Sequence, residues 1–138
     1  MKKKDFFTFF NPLELQDALP VFSPSLLANP QPMGVLEDYL NYYQLPSENS
    51  IAGLSHRMAH FDTSVGEVVV QFFLQPHATG TLWLIHGYFD HAGIYADTIQ
   101  RGLLMGYNVF VFDFPGHGLS SGNPVYIDDF MDYVLVLD

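Results

Sequence analysis

The sequence predicts an α/β fold: a hairpin leading into a strand-helix-strand-helix run. Three observations predict it. Thr81–Ile85 (TLWLI) and Tyr107–Phe112 (YNVFVF) are continuous apolar runs, and such strands are expected to be buried on both faces of a parallel sheet. Between them, Tyr95, Ile99 and Leu103 fall at four-residue steps, the spacing of one helical face. Before them, Glu67–Gln75 (EVVVQFFLQ) is rich in β-branched and aromatic residues, which suit a half-buried pleated surface. A strand, a helix and a second buried strand in succession give a parallel crossover, and hence an α/β sheet.

The elements follow in order. Residues 1–50 read as an amino-terminal extension and 51–138 as the α/β domain. Pro12, Pro20, Pro24, Pro30 and Pro32 make the first 32 residues an irregular arm, with a turn of helix over Leu13–Leu19. Leu36, Leu40 and Tyr43 predict a helix over Gly34–Leu45, stopped by Pro46, because proline lacks the amide the helix needs. Ser55–Asp62 and Glu67–Gln75 pair as a hairpin through Ser64-Val65-Gly66. His77–Gly80 is a turn before TLWLI. The helix over His91–Met105 ends on Gly106. After YNVFVF comes a glycine-rich loop. Asn123 then reads as an N-cap with Pro124 in the first helical turn, Asp128 and Asp129 complement the positive end of that helix, and Tyr126, Phe130, Tyr133, Val134 and Leu137 form its apolar face.

Composition narrows the function classes. The chain has 138 residues, 15 acidic and 5 basic, for a net charge of −10. Three of the bases are Lys2, Lys3 and Lys4. Phosphate recognition needs a basic face, so no nucleic-acid partner is expected. With 49% apolar residues the chain has material for a core. There is no cysteine, so disulfides and thiolate metal sites are excluded. Asp5, Thr8, Asn11, Pro12 and Glu14 interrupt any signal-peptide-like run, and no transmembrane segment is expected. The expected location is cytoplasmic, or peripheral at a membrane. Phe6, Phe7, Phe9 and Phe10 could touch lipid, but such residues more often pack on their own domain.

Two loops carry the information, and both follow buried strands, where ligands bind in open α/β sheets. The first is Ile85-His86-Gly87-Tyr88-Phe89-Asp90-His91. The second is Asp113-Phe114-Pro115-Gly116-His117-Gly118-Leu119-Ser120-Ser121-Gly122. The first has the form H-G-x-x-[DE]-H and the second D-x-x-G-H-G-x-S-x-G. With these two segments in this order, separated by one helix, the chain resembles the α/β-hydrolase family over about residues 55–138. It looks most like the lysophospholipase and monoacylglycerol-lipase branch, which includes the S33-type serine aminopeptidase domains.

The resemblance implies a serine hydrolase of carboxylic esters such as lysophospholipids or monoacylglycerols, without a cofactor. It implies that the backbone N–H of Tyr88 supplies half of an oxyanion hole. It implies loop-shaping roles for His86, Gly87, Asp90, His91, Asp113, Gly116, His117, Gly118, Ser120 and Gly122. Phe89 stands where family members often carry glycine, so local loop detail and substrate fit depart from the pattern. Gly118–Gly122 spells G-x-S-x-G, yet Ser120 lacks the strand directly before and helix directly after that a nucleophile elbow requires. In the family the elbow follows the next helix, and the acid and histidine come later still. The expectation is therefore an amino-terminal part of a hydrolase sheet, truncated before the elbow. None of the catalytic Ser, Asp and His is expected in the chain, the triad falling beyond Asp138, and no activity is expected from the chain alone. The alternative is a non-catalytic α/β piece that pairs with another chain, with itself or with a missing half. In the family's strand order TLWLI neighbours the elbow strand, so without that strand it becomes an exposed edge. No metal site is expected: His56 and His60 form H-x-x-x-H, but on a strand four residues span about 13 Å.

Overall fold

The computed structural model describes residues 10–31 and 34–138. Three short helices come first: α1 Pro12–Ala18, α2 Pro24–Ala28 and α3 Gly34–Tyr43. Strands β1 Ser55–Thr63, β2 Gly66–Leu74 and β3 Thr81–Leu84 follow. A 3₁₀ turn, Ala92–Tyr95, leads into α4 Ala96–Leu104, then β4 Asn108–Phe112 and α5 Met131–Leu137. The sheet order is β1-β2-β4-β3. β1 pairs antiparallel with β2 and β2 with β4, while β3 runs parallel to β4 with Trp83 opposite Phe110. The hairpin and the β3-α4-β4 crossover stand as the sequence predicts.

Strand alternation sorts the side chains into two cores. Met58, Val69, Phe73, Val109 and Val111 face α1, α3 and α4 and pack with Leu15, Tyr39, Leu40, Ile99 and Leu103. Ala59, Val68, Val70 and Phe112 face the other way, against Phe22, Leu26, Tyr133 and Val136. Helix α4 lies close on the first face because Gly102 has no side chain: a Cβ there would sit 2.9 Å from Leu82 Cδ2. Its end is a Schellman motif, with Gly106 N–H donating to Leu103 O and Tyr107 N–H to Gly102 O.

The arm is more ordered than its prolines suggest. Asn11 caps α1 through its side chain, which accepts from Leu13 and Glu14 N–H. Val21 bridges His60, with Phe22 N–H donating to His60 O and His60 N–H to Pro20 O. The Gln31 amide does the same further along, donating to Met58 O and accepting from Met58 N–H. Arg57, buried, donates to Leu26 O, Asn29 O and Glu48 Oε1. Together these contacts cover the outer edge of β1. Phe10 packs on Tyr39, Tyr42 and Tyr43; the reading of Phe6, Phe7 and Phe9 falls outside the described residues.

Three expectations need correction. The helix over Gly34–Leu45 ends at Tyr43, because Gln44 turns into the left-handed region at φ 56°. β3 is not buried on both faces as its apolar run suggests; it is the exposed edge expected from the family's strand order, and Trp83 is 59% exposed. The last helix starts at Met131 rather than Pro124. Residues 121–125 are held by the glycine loop instead, with Gly116 N–H donating to Ser121 O and Val125 N–H to Gly116 O. Phe130, not Asn123, stands at the N-cap and offers no side-chain bond; just before it Asp129 accepts from Met131 N–H, while Asp128 accepts from Tyr126 OH. The helix runs to Leu137, and Asp138 stands at its C-cap.

Candidate functional site

Both motif loops leave the carboxyl ends of the parallel pair β3 and β4, and they are tied to each other. His86, on the first loop, donates from Nδ1 to its neighbour's carbonyl, Gly87 O, at 2.7 Å. Its Nε2 is thereby left as an acceptor, and it takes the N–H of Phe114, on the second loop, at 2.9 Å. His117, on the second loop, repeats the pattern. Its Nδ1 donates to Pro115 O at 3.0 Å and its Nε2 accepts from Phe89 N–H, on the first loop, at 3.3 Å. The rings lie 5.2 Å apart. Each loop thus lends a histidine that holds an amide of the other. Burial pushes the His86 pKa below its ordinary value, which favours the neutral ring the bond to Phe114 needs.

Asp113 organises the second loop from within. Its carboxylate accepts from Ala92 N–H at 2.7 Å and Leu119 N–H at 3.0 Å. Burial raises its pKa while these two bonds oppose that rise. Gly118 folds directly over the carboxylate, at φ 49°, where any Cβ would collide with it. Gly116, at φ 75°, is as confined: a Cβ would lie 2.7 Å from Asn123 O. Gly122 lies against Gly116 N.

On the first loop, Asp90 N–H donates to Gly87 O, and the Asp90 carboxylate accepts from Tyr95 OH at 2.7 Å. His91 caps the 3₁₀ turn, accepting from Gly93 N–H, and its ring meets Tyr43 of α3 edge-on at 5.1 Å. Phe89 takes up a φ of 69°, a strained choice for a residue with a side chain. The Tyr88 hydroxyl donates to Val125 O at 2.8 Å. Its backbone N–H donates to no carbonyl or side chain among the described residues.

Ser120 lies inside the structure, 7% exposed. Its hydroxyl donates to Asp113 O at 2.6 Å and accepts from Val69 N–H at 2.8 Å. Those bonds occupy its proton, and no histidine nitrogen bonds to it among the described residues. Ser121 continues the same seam. Its hydroxyl accepts from Glu67 N–H and its own N–H donates to Glu67 O. Where β4 ends, these two serines carry on the hydrogen bonding of β2. Asp138 belongs to neither loop. It is an exposed carboxylate beside Phe61, Thr63 and Leu137, on the α5 side of the sheet, and no histidine pairs with it among the described residues.

The structure brings Phe89, His91, His117 and Ser120 together with Val125 and Gln16 around a crevice of about 420 Å³. Sequence reasoning missed Gln16, whose amide donates to Leu119 O at 2.7 Å and so ties α1 to the loop. It also missed Ser121 and Tyr43. A Cβ at Gly93 would sit 2.8 Å from the Tyr43 ring, so that glycine beside His91 was the one available signal of a close neighbour.

A mixed sheet with this strand order, and paired loops at the carboxyl ends of its parallel strands, defines a partial α/β-hydrolase fold. Residues 76–137 match the family described as serine aminopeptidase, S33. A monoacylglycerol lipase of Mycolicibacterium smegmatis is 35% identical over 83 residues, which are 58% of this chain and 30% of that protein. The resemblance to the α/β-hydrolase family is therefore shown, and the chain spans well under half the length of this curated relative. Among the described residues, no helix is long and apolar enough to cross a membrane.

Proposed function

We propose that this chain supplies the amino-terminal wall of the catalytic crevice in a hydrolase of carboxylic esters of the monoacylglycerol or lysophospholipid kind. The observation that carries the reading is the Tyr88 backbone N–H. Among the described residues it has no protein acceptor, and it lies just beyond β3 on a loop clamped from both sides by His86 and His117. A preorganised amide of this sort stabilises the charge that develops on an acyl carbonyl oxygen. The family match and the lipase relative support the substrate class.

In this reading the catalytic triad comes from beyond Asp138, and its serine attacks the ester carbon. Tyr88 N–H and a second amide beside that serine bind the resulting oxyanion. A histidine takes the serine proton and passes it to the departing alcohol, and water then releases the acid. His86, His117 and Asp113 hold the loops and exchange no proton with substrate. Ser120 is a seam residue, not the nucleophile. The described segment alone does not turn over ester. A second reading, a non-catalytic subunit pairing through β3 with another chain, is favoured by the exposure of Trp83 and Ile85 at 59% and 49%.

The test has two arms. The purified chain and its Ser120→Ala variant are assayed with a short p-nitrophenyl ester, and neither is expected to hydrolyse it. Activity lost with Ser120 would overturn the assignment of that serine. The chain is also fused to the remainder of the M. smegmatis lipase. The fusion is expected to cleave monoacylglycerol, and Tyr88→Pro, which removes the amide proton, is expected to lower kcat by roughly 100- to 1,000-fold. A folded, inactive fusion would favour the pairing subunit.

A further inference from the structure

We propose that His60, Asp62 and Glu67 form a binding site for a divalent transition-metal ion, zinc fitting best, at the turn end of the β1–β2 hairpin. The hairpin itself builds the cluster. His60 and Asp62 are two residues apart and share a face, and Asp62 is paired directly with Glu67 across the ladder. One ligand atom from each lies within 4.8 Å of the others.

Two features point to a cation between them. His60 Nδ1 is buried and has no hydrogen-bond partner among the described residues, an unfavourable state for a ring nitrogen. It faces Glu67 Oε2 at 3.5 Å and Asp62 Oδ1 at 3.7 Å. Independently, two carboxylates directly opposite in register repel, and among the described residues His60 is the one basic group paired with either. A single divalent ion relieves both.

The spacing suits zinc. Zinc-ligand bonds of about 2.0–2.2 Å in a tetrahedron put neighbouring ligand atoms roughly 3.3–3.6 Å apart. The two contacts of His60 Nδ1, at 3.5 and 3.7 Å, need to close by only a few tenths of an ångström, and the two carboxylates, within 4.8 Å of each other, close on the same ion by rotation of their exposed or half-exposed side chains. One imidazole with two carboxylates is a donor set for zinc or its first-row neighbours, whereas calcium and magnesium take all-oxygen shells. The fourth position would hold water. The site rests on neither loop of the crevice, but Glu67 is bonded through its backbone to Ser121. An ion held there would fix the strand end against which the glycine loop leans. The linear H-x-x-x-H motif hid this set, because the partners of His60 come from the strand period and the facing strand rather than from His56.

The experiment is a titration of the chelator-stripped, dialysed chain with Zn²⁺ by calorimetry and with Co²⁺ by absorption. One-to-one binding is expected, with the intense visible bands of tetrahedral cobalt. His60→Ala and Glu67→Gln should each weaken binding by at least the roughly 10- to 100-fold that loss of a merely supporting group costs. His77→Ala, on an exposed turn, should leave it unchanged. Glu67→Gln guards against a folding artefact, since that side chain makes no hydrogen bond among the described residues. No saturable binding, or binding equally strong in both ligand variants, would overturn the site and leave His60 as an ion-pair partner only.

Discussion

The two edges of the sheet are treated in opposite ways. Along β1, the arm lays down a backbone bridge at His60, the Gln31 amide at Met58 and the Arg57 fork, so the edge offers little unpaired backbone. Along β3, at the other end of the order β1-β2-β4-β3, no described strand follows, and Trp83 and Ile85 stand in solvent at 59% and 49% exposure. Natural sheets blunt edges they do not use. Here one edge is blunted with side-chain and backbone mimics of a strand, and the other is apolar and open. The difference is what supports a neighbour along β3, which is also the strand whose loop carries Tyr88.

The contrast can be broken at the closed edge first. His56 on β1 is fully buried, its Nε2 donating to Gln71 Oε1 at 3.0 Å. Gln71 in turn donates to Tyr39 OH on α3. Burial, outweighing the bond to Gln71, lowers the His56 pKa to about 4. The unfolded chain takes up this proton near pH 6.5 and the folded chain only near 4. Stability from this residue is therefore whole above pH 6.5 and declines as pH falls towards 4, by about 3 kcal/mol in total. Chemical denaturation across that range, for the wild type and His56→Leu, isolates the effect. A slope identical in both would show that His56 is not held neutral. The next effect is smaller. Gln31→Leu unpairs the Met58 N–H and C=O and should cost about 1–3 kcal/mol, with faster amide exchange at Met58. At the open edge the effect on folding should be least. Trp83→Lys should change stability by no more than about 0.5 kcal/mol while reducing self-association measured by sedimentation. If Trp83→Lys unfolds the chain instead, β3 is not the free edge described.

What the sequence made legible follows from the range of each signal. The hairpin and the crossover rest on local periodicity, and they stand as read. The closed edge was illegible because nothing in the string says that Gln31 will dock on Met58, 27 residues away. Asn123-Pro124 is a genuine local start signal, but Gly116 claims the Val125 amide proton, and tertiary bonding moved the helix to Met131. The apolar run of TLWLI suggests a doubly buried strand because it records what a strand is suited to, not whether its neighbour is present; the exposed edge follows only from the family's strand order. In the site, the motif residues were visible as a set. The exchange of histidine bonds between the loops was not, since it depends on which ring nitrogen faces which amide.

That exchange has a consequence for redesign. Because His86 grips Phe114 and His117 grips Phe89, the two loops behave as one transplantable cassette. A borrowed loop that lacks its histidine leaves the amide of its new neighbour without an acceptor. Redesign of these loops therefore has to keep both rings in place, whether the two loops are moved together or side chains around them are edited.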